Sequence, residues 1–316
     1  MLDTIIKDIR NFDGILRKKD IGWVVNLLKG ASNFGNTISI NDDSAVLKNG
    51  KKHLLFAADG IRQEMLIENP FNAGRAAVIV NVSDIYAMGG KPIAMVNVLG
   101  MANRNNARLI LKGIKGACKK FKVPMVGGHL HPDLREPSLS IAIIGETKKI
   151  LFSNTAKIGQ SIIIAVDIKG KVGNTSIKAW DSSLFRSSKK LLNQLTILNT
   201  IAEKELSETA KDISTGGIIG TIAFIMEASM KGAIINMDRI PKPKHIPLNN
   251  WLKIFPSYGF ILTADKNKVE NILKLFRKED IVADDIGIVT KERKIILKTR
   301  DEEGILFDFK KERIQC

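Results

Sequence analysis

The chain has 316 residues, 44% of them hydrophobic, and a formal net charge of +16. That length suits two domains with sizeable cores, and no apolar run reaches a membrane span; the longest candidate, 218–226, is a core helix at most. Lys and Arg intermingle with Glu and Asp, as in Lys291-Glu292-Arg293-Lys294, and aromatics make up only 6%, so the charge reads as solvated surface that also attracts anionic substrates, not as a nucleic-acid platform.

Residues 1–30 are expected to be helical, with Ile5, Ile6, Ile9 and Phe12 recurring at helical spacing. Strands follow at 44–47 and 53–58, split by the turn Lys48-Asn49-Gly50-Lys51. A helix is predicted over 71–88, a strand over 92–99, and an amphipathic helix over 105–121 with Leu109, Ile110, Ile114 and Ala117 on one side. Strands at 124–126 and 139–145 close the first half, and the basic, polar stretch 147–160 reads as a link. The second half opens with the apolar strand 161–166. Helices near 184–205 and 217–230 come next, then a strand at 233–237. Pro241, Pro243 and Pro247 break a loop, and strands near 259–263, 282–289 and 294–297 with a helix near 269–276 complete the pattern. Both halves mix helices with strands expected to be antiparallel, so the class is α+β, in two domains of 1–150 and 151–316. There is no tandem repeat. Only Cys118 and Cys316 occur, and the start Met1-Leu2-Asp3 has no basic-then-apolar leader; a cytoplasmic protein is expected.

Four aspartates stand at awkward places. Asp43 lies in Ile40-Asn41-Asp42-Asp43-Ser44-Ala45-Val46, Asp59 ends the apolar strand Leu54-Leu55-Phe56-Ala57-Ala58, and Asp212 opens Asp212-Ile213-Ser214-Thr215-Gly216-Gly217. Asp84 sits in Asn81-Val82-Ser83-Asp84-Ile85-Tyr86-Ala87-Met88-Gly89-Gly90, where Asn81, three residues away, shares its helix face. An unpaired buried carboxylate costs several kcal/mol, and a bound cation relieves that cost. Carboxylate oxygens suit magnesium, which keeps water or phosphate on its remaining positions; such a set suits a metal–triphosphate complex. Each aspartate also has a structural reading: Asp42-Asp43 and Asp59-Gly60 as turns, Asp212 as a helix N-cap. Gly127-Gly128-His129 after a strand allows close backbone approach to a phosphate or base. His131 and Asp133 extend it to His-x-His-x-Asp, for which a polar loop is favoured over a transition-metal site.

In this order the blocks resemble the AIR synthase-related (PurM-like) superfamily of aminoimidazole-ribonucleotide synthetase, selenophosphate synthetase, thiamine-monophosphate kinase and the hydrogenase maturation factor that dehydrates a carbamoylated cysteine. The resemblance spans about residues 40–230, is strongest at 81–92 and fades after Gly232. Over the whole chain it looks most like the "methanogenesis marker protein 2" group. It implies a homodimer joined through strands of the N-terminal domain, with ATP in a cleft near the interface. It implies Mg2+ on Asp43, Asp59, Asp84 and Asp212, Asn81 near the phosphates, and Gly127, Gly128, His129 and Ser214 along the nucleotide.

Two departures narrow the activity. The N-terminal Cys-and-Lys loop of selenophosphate synthetase has no counterpart, since the first cysteine is Cys118, and Ser257-Tyr258-Gly259-Phe260 replaces the acidic substrate segment of the thiamine kinase. The expected function is ATP- and Mg2+-dependent phosphoryl transfer to, or activation of, a small acidic or carbonyl-bearing metabolite, with no general base assigned. Alternatives are a non-catalytic nucleotide-binding assembly or regulatory protein, or a maturation-factor-like dehydratase using Cys316. Trp180, Asp181 and Arg186, expected at the start of a helix, have two readings: acceptor contacts, or the favoured one of a capped helix with a buried Trp.

Overall fold

The computed structural model describes residues 2–28, 31, 37–39, 42–101, 103–173, 175–176 and 178–315. Asn41 and Cys316, both singled out above, lie outside them.

The first half begins with α1 (Leu2–Arg10), α2 (Asp13–Leu16) and α3 (Ile21–Leu28). Six strands follow, β1 (Thr37–Ser39), β2 (Ala45–Asn49), β3 (Lys52–Gly60), β4 (Lys91–Gly100), β5 (Met125–His131) and β6 (Ser138–Thr147), in sheet order β1-β2-β3-β6-β4-β5. Between them come α4 (Gln63–Glu68), α5 (Pro70–Ala87) and α6 (Arg104–Phe121). α5 starts where Pro70 needs no partner for a missing N–H and the Asn69 side chain accepts from Asn72 N at 3.3 Å. α6 is capped by Asn103 and buries Ile110, Ile114, Ala117 and Phe121. Leu109, expected on that stripe, is exposed instead.

The second half builds a seven-stranded sheet from β7 (Ser161–Val166), β10 (Thr209–Asp212), β11 (Gly232–Asn236), β13 (Gly259–Ala264), β14 (Val282–Thr290), β15 (Lys294–Lys298) and β16 (Glu303–Asp308). Its order is β10-β13-β7-β14-β11-β15-β16. A small sheet joins β8 (Lys171–Val172), β9 (Ala179–Asp181) and β12 (Phe255–Pro256). The helices are α7 (Ser188–Glu203), α8 (Gly217–Ala228), α9 (Leu248–Trp251) and α10 (Lys266–Lys278). The mixture of sheets and helices is the α+β class expected. Not every pairing is antiparallel, however: β4–β5, β11–β15 and β9–β12 are parallel.

β7 explains how the layers meet. Its residues alternate between faces, so Ile163 and Ala165 join the core formed with α5, α6 and α7, while Ile162, Ile164 and Val166 join the core under α8. The division expected after residue 150 falls between β6 and β7, but packing crosses it twice. The first core includes Leu191, Leu195 and Phe260 from the second half, and the second core includes Leu2, Ile5, Ile9 and Ile15 from the first. The expected link 147–160 is partly core as well, with Leu151 and Ser153 buried.

Candidate active site

Asp59 is the penultimate residue of β3, α5 carries Asp84 one turn from its end, and β10 ends at Asp212. Together with Asp43, just before β2, they line one cavity of about 410 Å³. Asp43, Asp84 and Asp212 each offer an oxygen within 4.8 Å of the others. Asp59 lies beside them on the cavity wall and opposes the charge of Asp84 and Asp212.

So many carboxylates in one buried place oppose each other's charge. Burial pushes the Asp84 carboxyl well above the ordinary carboxylate range, and Asp59, Asp212 and Asp43 push it further. Asp212 is pushed up to about 8, by burial and then by Asp43. Asp59 is raised too, chiefly by burial. An all-oxygen, multiply anionic set fits a hard divalent cation such as Mg2+. Asp43, Asp84 and Asp212 are the residues that would hold it, with Asp59 beside them.

Neighbouring Asp42 plays a different part. Its Oδ1 accepts from Asp43 N and its Oδ2 from Ser153 N, both at 2.8 Å, so it fastens the Asp43 turn. Sequence reasoning misses Lys211 altogether. Its ammonium is hydrogen-bonded to Asp43 Oδ1, and the side chains are 11% and 4% exposed. Burial lowers the Lys211 pKa, but Asp43, Asp42 and Asp212 outweigh it and hold the ammonium charged. The sequence offers no signal for it beyond its place directly before Asp212.

The remaining expected residues are dispersed. Ser214 lines the aspartate cavity. It sits in a tight turn in which Gly217 N donates to its carbonyl at 2.9 Å; Gly217 has φ +67°, and a Cβ there would lie 2.2 Å from Leu252 O. Asn81 is fully buried, donates to Ala77 O at 2.9 Å, and leaves its Oδ1 without a partner; it does not line the cavity. Gly127, Gly128 and His129 do not form a turn at a strand end, as expected, but lie within β5, an exposed edge strand. β6 and β4 separate β5 from β3, about 14 Å across the sheet. A Cβ at Gly128 would lie 1.8 Å from Asn97 Oδ1, so close packing on β4 accounts for that glycine. His129 and His131 stack edge-on at 4.5 Å. They and Asp133 form no ligand group: the three aspartates are the only such cluster among the described residues.

Trp180 and Asp181 are not at a helix start but in β9. Trp180 is buried and donates from Nε1 to Asp167 O at 2.8 Å. Asp181 pairs with buried Arg75 at 3.2 Å, and Arg186 grips buried Asp167 through two bonds of 2.7 and 2.8 Å. Trp180 and Asp181 line an apolar chamber of about 220 Å³ that shares Met65, Val80, Phe255 and Ser257 with the aspartate cavity.

Residues 41–147 match the family model for the N-terminal domain of AIR synthase related protein, and residues 153–300 match that for its C-terminal domain. The chain belongs to the AIR synthase-related family. Within that family it is 39% identical to an uncharacterized protein of Methanocaldococcus jannaschii, over 98% of both chains. It is 27% identical to a thiamine-monophosphate kinase of Buchnera aphidicola subsp. Schizaphis graminum, covering 85% of this chain and 89% of the kinase. Among solved structures, T. maritima PurL complexed with ADP superposes with TM-score 0.75 at 19% identity, covering 92% of this chain and 50% of PurL. That likeness speaks for the AIR synthase-related fold, of which this chain spans half the length of PurL. No helix among the described residues is long and apolar enough to cross a membrane.

Proposed function

We propose that this chain is an ATP- and Mg2+-dependent enzyme that transfers a phosphoryl group to, or so activates, a small acidic or carbonyl-bearing metabolite. The observation that carries the reading is the convergence of Asp43, Asp84 and Asp212 within 4.8 Å, from three separate segments. Phosphoryl transfer depends on positioning and on charge stabilisation around the phosphates. Magnesium, when bound, would screen the phosphate charge. The chain's own part is to hold the carboxylates in a buried frame, with Asp42 fixing the Asp43 turn, pairing with β13 fixing Asp212, and the Gly217 turn fixing Ser214. The apolar chamber beside the cavity offers space for the body of an acceptor. A thiamine-monophosphate kinase among the relatives supports the reaction class, not the acceptor.

A homodimer belongs to the same reading. On the outer face of the first sheet Phe56, Val96 and Val98 are 51%, 43% and 46% exposed; the pairing aligns Ala58, Ala142 and Val96 across three strands. A contiguous apolar face of this kind marks an interaction surface. Gly127 and His129 pair with Val96 and Val98 on that face, so a nucleotide held along them would lie where two copies meet.

One observation favours a second reading. Gln315 lines the aspartate cavity, and its backbone N–H donates to Glu227 Oε2 at 2.9 Å. The thiol of Cys316 would then carry the group acted upon, as in the maturation-factor alternative. Calorimetry with ATP in the presence and absence of Mg2+ tests the shared core: magnesium-dependent uptake is expected, and none at all would sink both versions. ADP release with acidic and carbonyl metabolites then tests turnover. Under the first reading Cys316→Ala leaves that rate unchanged; under the second it abolishes it.

A further inference from the structure

The described residues contain one cation hydrogen-bonded directly into the aspartate cluster, Lys211. The other positive groups lining the cavity are placed differently. Arg62 is held by Asp13 at 2.9 Å and by Glu64 at 3.0 Å, and Lys18 acts on Asp59 and Asp212 only through space. Lys211 instead bonds Asp43, whose second oxygen already receives Asp212 N at 3.3 Å. Both oxygens of a metal-ligand candidate are therefore engaged within the protein.

An ammonium bonded to Asp43 and a divalent ion on the same carboxylate would repel at short range in a site of low effective dielectric. The ammonium is a compact charge on a flexible four-carbon stem, and Lys211 lines the open cavity, so a change of rotamer can carry it off Asp43. Leaving Asp43 for solvent-poor space would strand the charge. Leaving it for an anion would not, and a polyphosphate beside the aspartates is the anion the proposed reaction brings.

Resting on the magnesium–ATP reading above, we propose that Lys211 exchanges partners during loading: its ammonium occupies Asp43 in the empty site and passes to the phosphate chain when the divalent ion takes Asp43. Metal alone then competes with Lys211, nucleotide alone meets uncompensated carboxylates, and the two together relieve each other. The site is built to admit the metal–nucleotide complex and to resist free metal.

Lys211→Met tests this, with Lys211→Gln as a second variant that keeps a polar group against Asp43. Mn2+ binding is followed by electron paramagnetic resonance, and Mg·ADP binding by calorimetry at saturating Mg2+. Removing the ammonium is expected to tighten Mn2+ alone about tenfold and to weaken Mg·ADP about tenfold, within the usual range of site–site coupling. Opposite signs are the signature, because a merely structural counter-ion would weaken both ligands together. Two changes of the same sign, or no change, overturn the proposal. Should neither variant fold, the wild type decides: Mn2+ that binds equally well with and without ADP, corrected for the complex in solution, also overturns it. A wild type that binds neither Mn2+ nor Mg·ADP overturns the underlying enzyme reading instead, and this inference with it.

Discussion

Asp84 is opposed in its charged form by burial and by three other carboxylates, so its replacement has two effects of opposite sign. Asp84→Asn removes a ligand and is expected to lower Mg2+ affinity at least tenfold, while the metal-free protein melts higher, by roughly 2 °C or more. Isothermal titration and thermal denaturation in chelator check the two halves. A related expectation concerns pH. Asp212, pushed up to about 8, and Asp84 bind protons more tightly folded than unfolded. The stability this contributes is complete below the unfolded carboxylate pKa of about 4, and is lost as pH rises through 8. The metal-free protein should therefore melt progressively lower from pH 6 to pH 9. Mg2+ should cancel most of that loss and release protons as it binds, visible as a buffer-dependent binding enthalpy. The aspartates are legible in sequence because carboxylates are rare beside such apolar runs. Lys211 is not, because 49 Lys and Arg residues make any single one unremarkable, and only the fold lays it against Asp43.

At the scale of elements, legibility follows periodicity. α6 is readable because its apolar spacing is long and regular, α5 and β7 because their apolar runs are nearly unbroken, and an Asn caps the start of each helix. β10 is not readable as a strand: four residues, two of them charged, carry no alternation to detect, and their register comes from pairing with β13. β9 mimics a helix start because Asp181-Ser182-Ser183 resembles a cap, yet Asp181 accepts from Ser183 N at 2.9 Å ahead of a short 3₁₀ turn and is paired to Arg75. The glycines of β5 illustrate the same limit: a turn and a packed edge strand use Gly-Gly alike, and Asn97 decides between them. Gly217 permits a direct test. Its φ of +67° and the approach of Leu252 O to within 2.2 Å of any added Cβ mean that Gly217→Ala should cost about 2 kcal/mol in urea denaturation. It should also weaken nucleotide binding, since the turn it supports fixes Ser214 in the aspartate cavity.

For the whole molecule the question is what covers the outer face of the first sheet. The α+β class is legible in sequence, but the division into halves is less so, because α1 packs on the second core through Leu2, Ile5 and Ile9, far away along the chain. Removing residues 1–12 should thus destabilise the second half, by about 6 kcal/mol if those three side chains each contribute about 2 kcal/mol. Among the described residues the outer sheet face has no such internal cover: α5 packs on β3 and β6 from the side of Leu55, Ile141 and Ile143, leaving Phe56, Val96 and Val98 to solvent. A second copy applying the same face would bury them in pairs, as a two-fold contact requires. Val96→Asp with Val98→Asp places two charges on that contact, away from the aspartate cavity that Phe56 lines, while touching none of the buried core. The expected result is a halved mass in sedimentation equilibrium with an unchanged far-ultraviolet spectrum. The paired loss of nucleotide affinity would follow only if Gly127 and His129 hold nucleotide at the interface. A monomeric variant that keeps full affinity would therefore retain the dimer and remove those two residues from the site, whereas an unchanged mass would assign the interface to another surface.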